Sequence, residues 1–181
     1  KKLVHMLQDP QAGGQEQAAA ALANLARESE DNRKSIVDAN GIIPLLALLE
    51  SSSPVAKENA VGAIAELCRN SKNIQSLIAK EGGIPKLVGA MLDFSVVNKE
   101  RSMIQLWTLD AAAIKEMAKG NRKNQDAIAE AGAIAPLVAM LGSSAPQMQA
   151  NAAGALANLA SGHPDNQSAI AKTGAVAPLC L

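Results

Sequence analysis

The sequence predicts an all-α solenoid, a stack of helical repeats, and three ladders of apolar residues predict it. Leu3, Leu45, Leu87, Leu137 and Leu179 fall 42, 42, 50 and 42 residues apart. Leu22, Ile64, Ile114 and Leu156 keep the same register, and so do Ile36, Ile78, Ile128 and Ile170. A period of this size identifies units that bury a face only against their neighbours. The apolar–polar alternation that strands would need is absent.

The unit 40–81 shows each element most plainly. Asn40-Gly41 breaks the chain, and residues 42–49 form a short apolar helix with Pro44 in its first turn, where a missing N–H costs nothing. Ser51-Ser52-Ser53-Pro54 marks a loop and the start of a long helix to about residue 69, with Ala60, Ala63, Ile64 and Leu67 at helical spacing. A shorter helix over about 73–80 carries Leu77 and Ile78. Asn40, Gly82, Gly132 and Gly174 punctuate the units, the residue types that enter the left-handed region at least cost. Ala21, Ala63, Ala113 and Ala155 form a small-residue ladder that lets neighbouring helices approach closely. The pattern divides a single domain, 1–181, into units at 1–39 (partial), 40–81, 82–131, 132–173 and 174–181 (partial).

The third unit is irregular. Its interval of 50 holds 8 residues more than the intervals of 42, and the extra residues lie within about 93–103. They either lengthen the long helix or make a projecting loop. The only Phe and Trp, Phe94 and Trp107, sit in or beside this segment, and both are expected to pack under it. Trp107 lies half a turn away from Glu116 on a continuous helix. Asp110 breaks a ladder that is otherwise Ala18, Ala60 and Ala152.

Composition narrows the function. Lys plus Arg and Asp plus Glu both number 17, and the resulting net charge of zero argues against nucleic acid as a partner. No apolar run of about 18 residues exists, so no membrane-spanning segment is expected. Cys68 replaces the alanines of the ladder Ala26, Ala118 and Ala160, and Cys180 falls in the ladder Val4, Leu46, Val88 and Val138. Both read as small buried hydrophobes rather than as disulfide or metal residues. An intracellular, cytoplasmic or nuclear setting follows as an expectation. The chain opens and stops inside repeats, so it reads as a piece of a longer solenoid whose bare apolar ends favour end-to-end self-association.

No catalytic motif is visible, and no enzyme activity, cofactor or metal is expected. His163 stands near Asp165 in Ser161-Gly162-His163-Pro164-Asp165, but no nucleophile accompanies it. Its matching positions, Ser29, Ser71 and Asn121, read as ordinary loop residues. His5 matches Ala47, Gly89 and Ala139 and suggests no special role. The sequence holds neither a phosphate-cradling Gly loop nor an HExxH helix. Lys119, Arg122 and Lys123 are basic without interleaved aromatics, as in a solvated loop.

The blocks Gly132-Ala133-Ile134-Ala135-Pro136-Leu137-Val138-Ala139-Met140-Leu141, Ala153-Gly154-Ala155-Leu156-Ala157-Asn158-Leu159-Ala160 and Asn166-Gln167-Ser168-Ala169-Ile170 resemble the armadillo repeat. Gly83-Ile84-Pro85-Lys86-Leu87-Val88 and Ala20-Ala21-Leu22-Ala23-Asn24-Leu25-Ala26 are further copies, so the resemblance covers essentially the whole chain. It implies a right-handed superhelix of three-helix repeats, about four here, whose third helices line a concave groove that holds an extended peptide. In the family an Asn near the end of each third helix bonds the peptide backbone, offering a donor and an acceptor from one amide. Here that position is Asn24, Glu66, Glu116 and Asn158. The inner two depart from the pattern, since Glu only accepts at neutral pH. Nuclear import adaptors of the family carry a Trp four residues earlier. Ala20, Gly62, Ala112 and Gly154 stand there instead, without the cation–π clamp for lysine stems.

Helical spacing places Gln17, Asn59, Leu109 and Asn151, with Gln105 and Gln147 a turn earlier, on the same face as the Asn/Glu positions. Arg27, Arg69 and Lys119 follow three residues after it as a basic strip. The leading expectation is a non-enzymatic scaffold holding an extended partner segment there. Glu66 and Glu116 would attract basic residues, and the basic strip acidic ones. Rival readings are an architectural subunit of a cytoskeletal, ciliary or membrane-tethered assembly, working through its ends or insertion, and a nuclear import adaptor.

Overall fold

The computed structural model describes residues 1–9, 12–92 and 101–175. Phe94, Leu179, Cys180 and most of the inserted segment lie outside the described residues. Among those described, every regular element is an α-helix: α1 (Lys2–Met6), α2 (Ala12–Glu28), α3 (Glu30–Asp38), α4 (Ile42–Leu48), α5 (Pro54–Cys68), α6 (Lys72–Lys80), α7 (Gly83–Leu92), α8 (Arg101–Ala118), α9 (Arg122–Glu130), α10 (Ile134–Met140), α11 (Pro146–Ala160) and α12 (Pro164–Lys172). A short apolar helix, a long helix and a second short helix recur in that order. The long helices α2, α5, α8 and α11 pack side by side in a row. The architecture is the all-α solenoid that the ladders predict.

The ladders are the core of this stack. Leu22, Ile64, Ile114 and Leu156 are buried between long helices, Leu45, Leu87 and Leu137 within the short apolar ones, and Ile36, Ile78 and Ile128 behind them. Burying each such side chain contributes about 1.5–3 kcal/mol. Cys68 is buried and unpaired, and desolvation, with Glu116 nearby, pushes its thiol pKa far up, so it behaves as the expected small hydrophobe.

Sharp bends come at fixed places. Asn40, Gly82, Gly132 and Gly174 all have φ between 59° and 88°. A second set, Asn70, Gly120 and Gly162, turns the chain after the long helices with φ between 55° and 65°. Ser29, Ser71, Asn121 and His163 then start the following helices as N-caps, accepting from the N–H groups of Asn32, Ile74, Asn124 and Asn166. This corrects the reading of Ser29, Ser71 and Asn121 as ordinary loop residues, and gives His163 the same capping role. Side chains of the new helix reach back to the last carbonyls of the long one. Gln75 donates to the Cys68 carbonyl, Gln125 to Ala118 and Gln167 to Ala160, while Arg33 donates to Ala26. Asn32, Asn124 and Asn166 do the same for Leu25, Met117 and Leu159. These bonds satisfy orphan helix-end carbonyls and explain the Asn-Gln pair of the repeat block.

In the irregular unit α8 has 18 residues against 15 for α5 and α11. It begins about one turn earlier than register with Pro54 and Pro146 would place it, so part of the insertion lengthens the long helix. Trp107 is buried on it, and its indole N–H donates to the Ala90 carbonyl at 3.2 Å. It packs in the core and is not a surface anchor.

Candidate functional site

The row of long helices carries the thirteen residues singled out by spacing. Gln17, Asn24 and Arg27 lie on α2; Asn59 and Glu66 on α5, with Arg69 at its end; Gln105, Leu109 and Glu116 on α8, with Lys119 just beyond; and Gln147, Asn151 and Asn158 on α11. Gln17, Asn24, Arg27, Arg69, Gln105, Lys119 and Gln147 are exposed. Asn59, Leu109, Glu116 and Asn158 are half-buried, and Glu66 and Asn151 are buried. Leu109 packs against the core rather than standing free on the face.

The asparagines clip adjacent long helices together. Asn59 donates to the Glu16 carbonyl at 3.1 Å, Asn151 to Thr108 at 3.0 Å and Asn158 to Lys115 at 2.8 Å. Each bond reaches back 43 residues, to the carbonyl just before the matching position of the preceding unit. Sequence spacing could not show this use, because it depends on how neighbouring helices are offset. Asn158 still has an amide oxygen and a second N–H beyond its clip. Asn24 carries no such clip; its oxygen receives Arg27 at 3.5 Å, a weak contact.

Charges settle differently from the expectation. The Glu66 side chain is only 11% exposed and lies between two cations, with Arg27 Nε at 3.1 Å and an Arg69 guanidinium nitrogen at 2.8 Å. It is therefore already paired, and the cluster carries a surplus positive charge. Glu66→Gln should lower stability by about 1 kcal/mol at low ionic strength, because both arginines are half in water. Thermal unfolding checks it: the loss should shrink in high salt. Lys119 donates to Asn70 at 3.1 Å and Lys115 to Asn151 at 3.4 Å. Glu116 has no ion pair among the described residues, and one of its buried carboxyl oxygens accepts no hydrogen bond. It is the open acidic point of the face.

The small residues also divide. A side chain at Gly154 would put Cβ 2.6 Å from Lys115 Cδ, so this glycine makes room for a neighbouring lysine stem. A Cβ at Gly62 would meet nothing within 4 Å. The face is bare there.

His163 belongs to the scaffold. Its Nδ1 accepts from the Asn166 N–H, which leaves the proton on Nε2, 2.6 Å from Asp126 Oδ1. The partner is thus Asp126 and not Asp165. Arg122 ties the same corner, donating to the Gly162 carbonyl at 2.7 Å and lying 3.6 Å from Asp126. Among the described residues no group of three or more His, Cys, Asp or Glu is placed to hold a metal, and no helix is long and apolar enough to cross a membrane.

Residues 29–69 and 121–161 match the Armadillo/beta-catenin-like repeat. No curated protein matches the chain. Solved structures do. An engineered protein is 31% identical, with a TM-score of 0.88, over 98% of this chain and 69% of that one. A designed armadillo repeat protein is 26% identical, TM-score 0.88, over 98% of this chain and 71% of its own. Another, in complex with the peptide (KR)4, is 27% identical, TM-score 0.87, again over 98% and 71%. With the triplet of helices, the capped bends and the clipped row of long helices repeating along it, the chain belongs to the armadillo-repeat family.

Proposed function

We propose that this protein is a non-enzymatic scaffold that holds an extended partner segment along the row formed by α2, α5, α8 and α11. The observation that carries the reading is the charge order of that row: the net-positive Arg27–Glu66–Arg69 cluster, then the unpaired Glu116 one helix further on. The structural likeness to a designed relative in complex with the peptide (KR)4 supports a peptide as the guest. Adjacent helices lie about 8–10 Å apart and extended chain covers roughly 3.3 Å per residue. The favoured guest therefore places an acidic residue over Arg27 and Arg69 and a basic one about three residues away, over Glu116. Asn24 and the free amide atoms of Asn158 would meet its backbone. The bare floor at Gly62 leaves room for it.

Fluorescence polarisation of labelled peptides tests this. Arg27→Ala with Arg69→Ala should weaken the mixed-charge peptide by roughly tenfold or more, and Glu116→Lys should do likewise. A peptide with the two charges exchanged should bind less well. Affinity unchanged by both the arginine and the Glu116 variants would move the site off this face.

The one-turn extension of α8 beside the insertion favours a second reading, an architectural subunit contacting neighbours through that segment or through its ends. Deleting about 96–103 should spare groove binding and abolish such assembly. The same proposal casts 1–181 as one armadillo domain, with the unit boundaries as above, in an intracellular, cytoplasmic or nuclear setting.

A further inference from the structure

Asp110 stands where Ala18, Ala60 and Ala152 stand in the other units, and all four positions are fully buried. Among the described residues neither of its carboxyl oxygens has a hydrogen-bond partner. An alanine at this place needs nothing from its surroundings, whereas a buried carboxyl without a partner is destabilising. The departure occurs only in the unit that also departs in length. The two irregularities meet at one feature, a cavity of about 630 Å³ between the end of α4, the start of α5, α7 and the start of α8, with Asp110 in its wall. That volume lies in the usual range of small-ligand pockets.

We propose that this cavity is a binding site for an organic cation, a primary ammonium or guanidinium head carried on an aliphatic stem. Leu49, Val61, Met103 and Leu106 supply apolar wall for the stem, and Asp110 supplies the counter-ion for the head. The charged groups facing the cavity from the surrounding helices are Glu50 beyond α4, Lys57 on α5 and Lys86 on α7. Lys86 is paired with Glu50, which offsets its charge. Burial alone raises the Asp110 pKa well above the ordinary carboxylate value, with no neighbouring charge drawing it back, so Lys57 does not serve as its counter-ion. Burial favours the protonated carboxyl in the empty cavity, and an arriving cation favours the ionised form, so that binding is coupled to release of a proton. Among the described residues no group of three or more His, Cys, Asp or Glu stands here to hold a metal ion. None of these residues belongs to the peptide-binding face, so the site stands or falls separately from the groove.

Trp107, the only Trp, reports on the cavity, since its indole N–H is bonded to the carbonyl of Ala90 in the cavity wall. The whole chain is titrated with n-butylammonium, agmatine and an N-acetyl-lysine amide, with n-butanol as the neutral match. Trp fluorescence and calorimetry, in buffers of different ionisation enthalpy, give affinity and proton release. The cations should bind saturably, roughly tenfold or more tighter than butanol, with proton release. Asp110→Asn should lose that preference and the proton release. Binding of the free amines assigns a small-molecule guest, and binding of the lysine amide alone assigns a partner side chain; either supports the site. Butanol binding as well as butylammonium would overturn it. So would no cation binding at millimolar concentration, Asp110→Asn keeping the wild-type affinity, or an Asp110 carboxyl in the unliganded protein titrating in the ordinary range.

Discussion

Asp110→Ala makes the protein more stable, by about 1–3 kcal/mol at neutral pH, the usual cost of a buried polar group without a partner. For a chain of this size the gain is about 2–4 °C of unfolding midpoint per kcal/mol. The substitution restores the residue found at Ala18, Ala60 and Ala152, so the repeat already accommodates it. The pH dependence identifies the cause. Burial raises the folded pKa of Asp110 well above the ordinary 3.8. Below 3.8 the carboxyl is protonated in both the folded and unfolded chain, and only the cost of an unpartnered neutral polar group remains. As pH rises toward the folded pKa, the unfolded chain gives up its proton and the folded chain does not, so the wild type loses stability. The advantage of Asp110→Ala should therefore be smallest below 3.8 and widen with pH above it until the folded carboxyl ionises. Urea unfolding of both proteins across that range checks it. A pH-independent difference would mean that Asp110 ionises normally in the folded state. A residue that weakens the fold while lining its cavity is the trade commonly found at binding sites.

Trp107→Ala should cost about 3–5 kcal/mol, the usual range for emptying a large buried aromatic site. The side chain is 1% exposed, and its loss also frees the Ala90 carbonyl. Position matters as much as size. Each unit of a solenoid is stabilised by its neighbours alone, so damage in an inner unit uncouples what lies on either side. Urea unfolding followed by circular dichroism should change from one transition to two, with α1 to α6 and α9 to α12 melting separately. A loss below about 1 kcal/mol with a single transition would show that the insertion, not Trp107, holds this unit together.

Much of this architecture was legible in the ladders. Leu22, Ile64, Ile114 and Leu156 are buried as a series because their spacing matches the helix period and the repeat together. Asn40, Gly82, Gly132 and Gly174 turn with positive φ because few residue types do so cheaply. The polar layer was less legible. That Glu66 is taken by Arg27 depends on which atoms meet across 39 residues, and spacing along one helix carries no such information. The His163 pairing with Asp126 spans 37 residues, so the nearer Asp165 drew attention instead. Asp110 was visible as a broken ladder, but the cavity beside it arises from four elements meeting and has no sequence pattern.

The asparagine clips are unevenly distributed along the row. α2 and α5 share one, and α8 and α11 share two. Between α5 and α8 the matching positions are Leu109 and Glu116, which have no amide to give. Among the described residues that seam is held along the helix faces by non-directional apolar packing. Non-directional contacts tolerate sliding and rotation more readily than a hydrogen bond does, so this seam should yield first along its helix faces, while Lys119 bonded to Asn70 and Asn121 to Ser76 tie the same two units beyond the helix ends. A seam tied at one end and loosely packed along its length should let the curvature adjust at the α5–α8 junction, where the charge of the face changes sign.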